Sequence, residues 1–262
     1  MKNPFSASHI VPYSMAASIA RRFLSIAGFG SGTSVSSSGE MKAMRKALDL
    51  AGLAVDGPML FIDAGGHIGE WTQAALASFP QSNIYAFEPS MVHANAFAAK
   101  LFPADRVTFT RAALGRESGS AVLFKDQNTT GLASMTKRDL SHHGIEMRIE
   151  EPIEVQTLDD YCANNSITHV DFLKIDVEGH ELDVLAGASA LLKRGAISAL
   201  QFEFGGCNID TRTYFRDFYK LLEPLGFSIH IIRPNGDLAR IVRYREFLEQ
   251  FTTTNYIAVK KR

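Results

Sequence analysis

The chain has 262 residues, 46% of them hydrophobic and 21% charged, enough to bury the core of one sizeable α/β domain. A net charge of −1 with no lysine or arginine run gives no long-range pull on a polyanion, so nucleic acid is not an expected partner. No apolar run reaches the roughly 20 residues of a membrane span. The short stretch Phe23 to Gly30 behind Arg21 and Arg22 is a poor signal peptide, so a cytoplasmic location is expected.

Residues 1–57 read as a helical lead-in rather than a second domain, with helical patterns near 14–27 and 40–52 flanking a Gly- and Ser-rich loop from Gly28 to Gly39. Over residues 58–262 the pattern changes to one alternating domain. Strand-like runs at 59–63, 83–88, 107–112, 170–176, 197–204, 227–232 and 254–260 alternate with helical segments at 69–79, 90–101, 180–193 and 211–224. Such alternation predicts a mostly parallel sheet covered on both faces. Residues 113–156 interrupt it with Gly115, Gly119, Gly131 and the pair His142-His143, which predicts an insertion folded as a hairpin or lid near the site. Thr157-Leu-Asp-Asp160 then opens a helix, a threonine cap followed by acids in the first turn. Cys162 and Cys207 have no neighbouring Cys/His spacing of a zinc site and read as reduced and structural.

The segment Phe61-Ile-Asp-Ala-Gly-Gly-His-Ile-Gly69 carries the chemistry: a buried strand ends in Asp63, and Gly65, Gly66 and Gly69 let the backbone turn tightly against a ligand. Counted from Gly65, the dinucleotide pattern G-x-G-x-x-G meets His67 and Glu70 where glycine is required, which weakens an NAD reading. Glu88 closes the next strand, where a carboxylate can accept hydrogen bonds from both ribose hydroxyls. Two acids also suit a cationic ligand better than a pyrophosphate, so S-adenosylmethionine fits better than NAD.

These residues, with Ala86-Phe-Glu-Pro89, Thr157-Leu-Asp-Asp160, Lys174-Ile-Asp-Val-Glu-Gly179 and Val184-Leu-Ala-Gly187, resemble S-adenosylmethionine-dependent methyltransferases of the FkbM type over about residues 58–205. The resemblance implies a class I, Rossmann-like α/β sandwich whose seven-stranded, mostly parallel sheet has an antiparallel last strand. It also implies transfer of a methyl group to a hydroxyl of a sugar, polyketide or related small metabolite. Carried over to this chain, Asp63, Gly65 and Gly69 face the methionine part of the cofactor, Glu88 before Pro89 the ribose, and the turn at Arg111 and Ala112 the adenine. Gly66 and His67 stand where family members often have alanine and asparagine; His67 reads either as a cofactor contact or as an exposed turn residue.

A methyl sulfonium is already activated, so the enzyme has chiefly to align an acceptor oxygen and exclude water. A base that takes the hydroxyl proton adds to this. Candidates are Asp176, Glu178 and His180 in the run after the fourth core strand, and Glu203 in the fifth; Asp176, at the strand terminus, is the first choice. Helix capping, with Lys174 pairing one acid, is the structural reading of the same residues. Oxygen ligands on Asp176 and Glu203 suit magnesium, but their spacing does not demand an ion and no metal is expected. An NAD-dependent oxidoreductase is opposed by the failed glycine spacing. A non-catalytic S-adenosylmethionine-binding partner subunit is opposed by the retained acids.

Overall fold

The computed structural model describes residues 13–30, 35, 38–127 and 131–261. Helices α1 (Tyr13–Ala27) and α2 (Glu40–Leu50) come first, and the loop expected between them lies largely outside the described residues. Then follow β1 (Met59–Ala64), α3 (Glu70–Ser78), β2 (Ser82–Phe87), α4 (Met91–Ala98) and β3 (Val107–Thr110). The middle of the chain holds β4 (Ala113–Leu114), β5 (Gly119–Lys125), β6 (Ile149–Gln156) and α5 (Leu158–Asn164). The last part comprises β7 (Val170–Ile175), α6 (Glu181–Ala186), α7 (Ser189–Lys193), β8 (Ile197–Phe204), α8 (Cys207–Thr211), α9 (Phe215–Leu222), β9 (Phe227–Ile232), β10 (Leu238–Arg240) and β11 (Thr254–Lys260).

The main sheet has the order β10-β9-β11-β8-β7-β1-β2-β3. Strands β3, β2, β1, β7 and β8 pair in parallel, while β11 enters antiparallel between β8 and β9. This is the class I Rossmann-like methyltransferase sheet, with its antiparallel last strand. The strand count differs from the expected seven because β10 adds an eighth strand at the edge, antiparallel to β9. Its cause is a turn signal in the sequence: Asn235-Gly236 sits between the two runs, and Gly236 adopts φ 81°, which such tight turns demand. The strand order reverses between β1 and β7, so a crevice opens at their carboxyl ends.

Side chains alternate across the sheet, and both faces are dry. Ile62, Leu173, Leu200 and Tyr256 pack with Tyr161, Val184, Leu185, Phe215 and Phe218 from α5, α6 and α9. Phe61, Phe172, Ala199 and Ile257 point the other way, against Met44, Ala47 and Leu48 of α2 and Trp71 of α3. The lead-in thus contributes a layer of the same core. Cys162 and Cys207 are free and buried.

Three local expectations shift. The helix read over 180–193 breaks into α6 and α7 at Gly187, where a Cβ would lie 2.0 Å from the Gly115 carbonyl oxygen. That over 211–224 starts at Phe215, behind a capping box in which Tyr214 and Asp217 bond reciprocally. The strand read over 107–112 ends at Thr110, and the chain crosses into a second sheet, β4-β6-β5, formed by the insertion. There β5 and β6 pair over seven residues from Gly119↔Val155 to Lys125↔Ile149.

Candidate active site

The glycine turn is clamped to the second strand by backbone: the Gly65 and Gly66 N–H groups both donate to the Phe87 carbonyl, at 3.0 and 2.8 Å. Gly65 has φ 82°, and a Cβ there would stand 1.8 Å from the Asp176 carbonyl oxygen, so only glycine fits where β1 and β7 emerge together. His67 continues the turn in the left-handed region, at φ 46°. Its N–H donates to Glu88 Oε2 at 2.9 Å, and the Ser90 N–H donates to Glu88 Oε1 at 2.9 Å. Two amides therefore hold the buried Glu88 carboxylate in one orientation, with lone pairs to spare. The His67 and His93 rings are 4.1 Å apart, and the Nε2 atoms of both are buried without a hydrogen bond. Burial, then the neighbouring His93, lowers the His67 pKa.

Lys174, in β7, ties the two strand ends together. Its Nζ donates to the Gly65 carbonyl at 3.0 Å and lies 3.4 Å from Asp63 Oδ1 and 3.5 Å from Asp176 Oδ2. Burial alone would push this ammonium down, but the charges of Asp176, Asp63 and Glu40 hold it above its usual value. Asp63 is fully buried and also accepts a hydrogen bond from Thr72 Oγ1 at 2.7 Å.

After β7 the chain makes a strained turn, with Glu178 at φ 54° and Gly179 at φ 104°. Buried Glu181 holds it, its Oε1 accepting from the N–H groups of Val177 and Gly179 at 3.1 and 3.0 Å. Arg138 Nη1 donates to Glu178 Oε2 at 2.8 Å, and Ser134 Oγ donates to the Glu178 carbonyl at 2.7 Å. Burial, then the charge of Asp176, pushes the Glu178 carboxyl up to about 8 in spite of Arg138. Burial, with Asp176, Glu178 and Glu181 close by, raises Glu203 well above the usual carboxylate range.

One cavity of about 440 Å³ joins these features, a size within the roughly 300–1,000 Å³ of small-molecule sites. Of the residues singled out in the sequence, Gly65, Gly66, His67, Glu88, Pro89, Asp176, Glu178 and Glu203 line it. Asp63, Gly69, Arg111, Ala112 and His180 do not. Asp63 lies beneath the wall, bonded to Thr72 and Lys174. Gly69 turns its Cα toward Phe97 and Phe102. Arg111 is exposed and Ala112 buried, and the wall passes to Ala113 and Leu114. His180 is held outside by Asp183 Oδ2 at 2.8 Å and Thr136 Oγ1 at 3.0 Å.

Other lining residues escaped the sequence reading. Leu123, Met135 and Arg138 arrive from the insertion, Glu40 from the start of α2, and Asn255 from β11. Buried Glu40 accepts hydrogen bonds from Gln201 Nε2 at 2.8 Å and Asn255 Nδ2 at 3.2 Å. No local pattern marks these residues; only the fold brings them together. Lys174 did leave a signal, as a lone cation inside an apolar strand.

The family described as Methyltransferase FkbM domain matches residues 63–229. Methyltransferase 1 of Beauveria bassiana is 28% identical over 197 residues, covering 66% of this chain and 74% of that protein. The 2-O-methyltransferase NoeI of Sinorhizobium fredii is 26% identical over 145 residues, covering 52% of this chain and 59% of that protein. Among solved structures, precorrin-6y C5,15-methyltransferase of Geobacter metallireducens superposes with a TM-score of 0.43 at 11% identity, over 83% of this chain and 88% of that one. With the family match running through β1, the glycine turn, the acid-rich turn and β8, the chain belongs to the FkbM methyltransferases.

Proposed function

We propose that the chain is an S-adenosylmethionine-dependent O-methyltransferase acting on a hydroxyl of a small metabolite. The observation that carries this reading is the charge of the cavity wall. Glu40, Glu70, Glu88 and Asp176 face it against Lys174 and Arg138, both of which are already engaged in ion pairs, while Glu178 and Glu203 add carboxyls whose pKa burial raises. Such a donor set suits a ligand with sulfonium and ammonium charges and repels a pyrophosphate.

In this reading Glu88 accepts from the ribose hydroxyls, the turn at Gly65, Gly66 and His67 lies against the methionine end, and Ala113, Leu114 and Leu123 shelter the adenine. When bound, S-adenosylmethionine would supply a methyl group activated by its sulfonium, with sulfur able to keep the carbon–sulfur electron pair as the acceptor oxygen takes the methyl. Asp176 takes the hydroxyl proton. It sits at the carboxyl end of β7, and its side chain, 39% exposed, is the most open of the three acids of that wall. Glu178, tied to Arg138, and the buried Glu203 shape the same wall. Alignment there contributes up to roughly 7–11 kcal/mol, and the base about 10²–10⁴-fold. The 2-O-methyl transfer in the name of the Sinorhizobium relative supports oxygen as the acceptor atom.

Calorimetric titration with S-adenosylhomocysteine, with NAD alongside, tests the reading. The first binds and the second does not. Glu88→Gln weakens binding at least about tenfold, because a hydrogen bond to a charged group is worth about 1.5–3 kcal/mol. NAD binding, or a Glu88→Gln variant with unchanged affinity, overturns it.

A further inference from the structure

We infer that Asp176, Glu178 and Glu203 form a binding site for a hard divalent cation at the acceptor end of the cavity. One carboxylate oxygen of each lies within 4.8 Å of those of the others. A point equidistant from three such oxygens lies no more than about 2.8 Å from each, so side-chain shifts of a few tenths of an ångström bring all three onto the roughly 2.0–2.6 Å shell of one hard cation. The residues come from the end of β7, the strained turn that follows it, and the end of β8. Local sequence spacing therefore conceals the set, and its third member, Glu178, is brought in by the turn.

Proximity of acids alone would not make a site. The independent observation is Glu203: it is only 8% exposed, it lines the cavity, and among the described residues no hydrogen bond or ion pair reaches its carboxylate. A largely buried carboxylate without a donor is costly, and here only the more distant charge of Lys174 relieves it, its oxygens being left to face the cavity. Arg138 is divided between Glu178 at 2.8 Å and Asp210 at 3.5 Å, and Lys174 between Asp63 and Asp176. Four carboxylates thus share two cations, and Glu203 is left over. Opposite Glu203 in the β8–β11 ladder stands Asn255, also buried and on the cavity wall. Its Nδ2 is spent on Glu40, and its carbonyl oxygen accepts no hydrogen bond among the described residues, which leaves a further hard oxygen beside the acids.

The ligand chemistry is all oxygen, which selects magnesium or manganese over metals that favour thiolate or imidazole. The site rests on the reading of the cavity given above. Its role is to hold an acceptor hydroxyl beside Asp176.

The test is titration of the metal-stripped full chain with Mn²⁺, following the free ion by electron paramagnetic resonance. One Mn²⁺ binds per chain, and Glu203→Gln and Asp176→Asn each weaken it at least tenfold, with circular dichroism confirming that both variants fold. Magnesium displaces the bound manganese. Absence of stoichiometric binding to the unaltered chain, or binding unmoved by both substitutions, overturns the cation site. Titration of the same samples with S-adenosylhomocysteine separates the two readings. If the nucleoside binds and Mn²⁺ does not, only the cation site falls; if the nucleoside fails to bind, the cofactor reading falls with it.

Discussion

Lys174 shows how one residue can join two strands chemically. Its ammonium is buried between Asp63 and Asp176 and also caps the Gly65 carbonyl. Removing one partner of a buried pair leaves an unpaired charge, at about 3–5 kcal/mol. Lys174→Met is therefore expected to lower unfolding free energy by that order in urea titrations and to weaken S-adenosylhomocysteine binding; a loss under about 1 kcal/mol contradicts the assigned role. His67 makes a pH prediction. Its folded pKa lies below the unfolded 6.5, so the neutral ring is favoured by folding. The associated stability is present above pH 6.5 and lost as pH falls through the folded pKa. From pH 7.5 down to 5 the unfolding midpoint of His67→Asn should fall less, or rise more, than that of the unaltered chain, because the raised carboxyls Glu178 and Glu203 act equally in both and asparagine tolerates the left-handed backbone there. Equal slopes would remove His67 from the account. The lowered pKa was not legible from the sequence, which showed a histidine in a turn but not the His93 ring packed edge-on against it.

At the scale of elements, the site is built from two turns that leave neighbouring strands. The β1 turn was legible because its glycines follow an apolar run, and Gly65 carries the tightest demand. In Gly65→Ala the left-handed backbone costs about 1–2 kcal/mol and the collision with the Asp176 carbonyl about 1–3 more. Thermal denaturation should show a loss of more than about 2 kcal/mol, together with loss of S-adenosylhomocysteine binding. A stable variant that still binds would show that the strand ends can separate. The turn after β7 was legible in composition but not in roles. Glu178 and Asp176 face the cavity, whereas Glu181 holds the turn from behind and His180 points to Thr136 and Asp183. A run of acids and a histidine gives no indication of which members face inward, because a strained turn reverses direction within two residues.

For the whole molecule, the lead-in matters to stability and to the site together. Ala43, Met44, Ala47 and Leu48 of α2 are fully buried on the sheet, and Glu40 at the head of the same helix reaches Gln201 and Asn255 at the cavity wall. Leu48→Ala should cost about 2–5 kcal/mol in urea unfolding, as a core truncation does. A surface-like value below about 0.5 kcal/mol would mean that α2 is not docked in solution. The insertion acts at the same scale: it brings Leu123, Met135 and Arg138 to the cavity wall, where Arg138 pairs with Glu178. Among the described residues no helix is long and apolar enough to cross a membrane.

What the amino-acid sequence determined by itself was the alternation of strand and helix, the glycine turn and the carboxylate ending β2. Each is a local pattern, written in periodicity, turn chemistry or an acid at a strand terminus. The tertiary structure alone decided that Asp63 lies under the cavity rather than on it, that Arg138, Glu40 and Asn255 reach the wall, and that Glu203 stands without a partner. It also decided that Asp176, Glu178 and Glu203 converge. Those outcomes depend on side chains from distant segments sharing one small volume, where burial and unpaired charge arise from packing that no local pattern encodes.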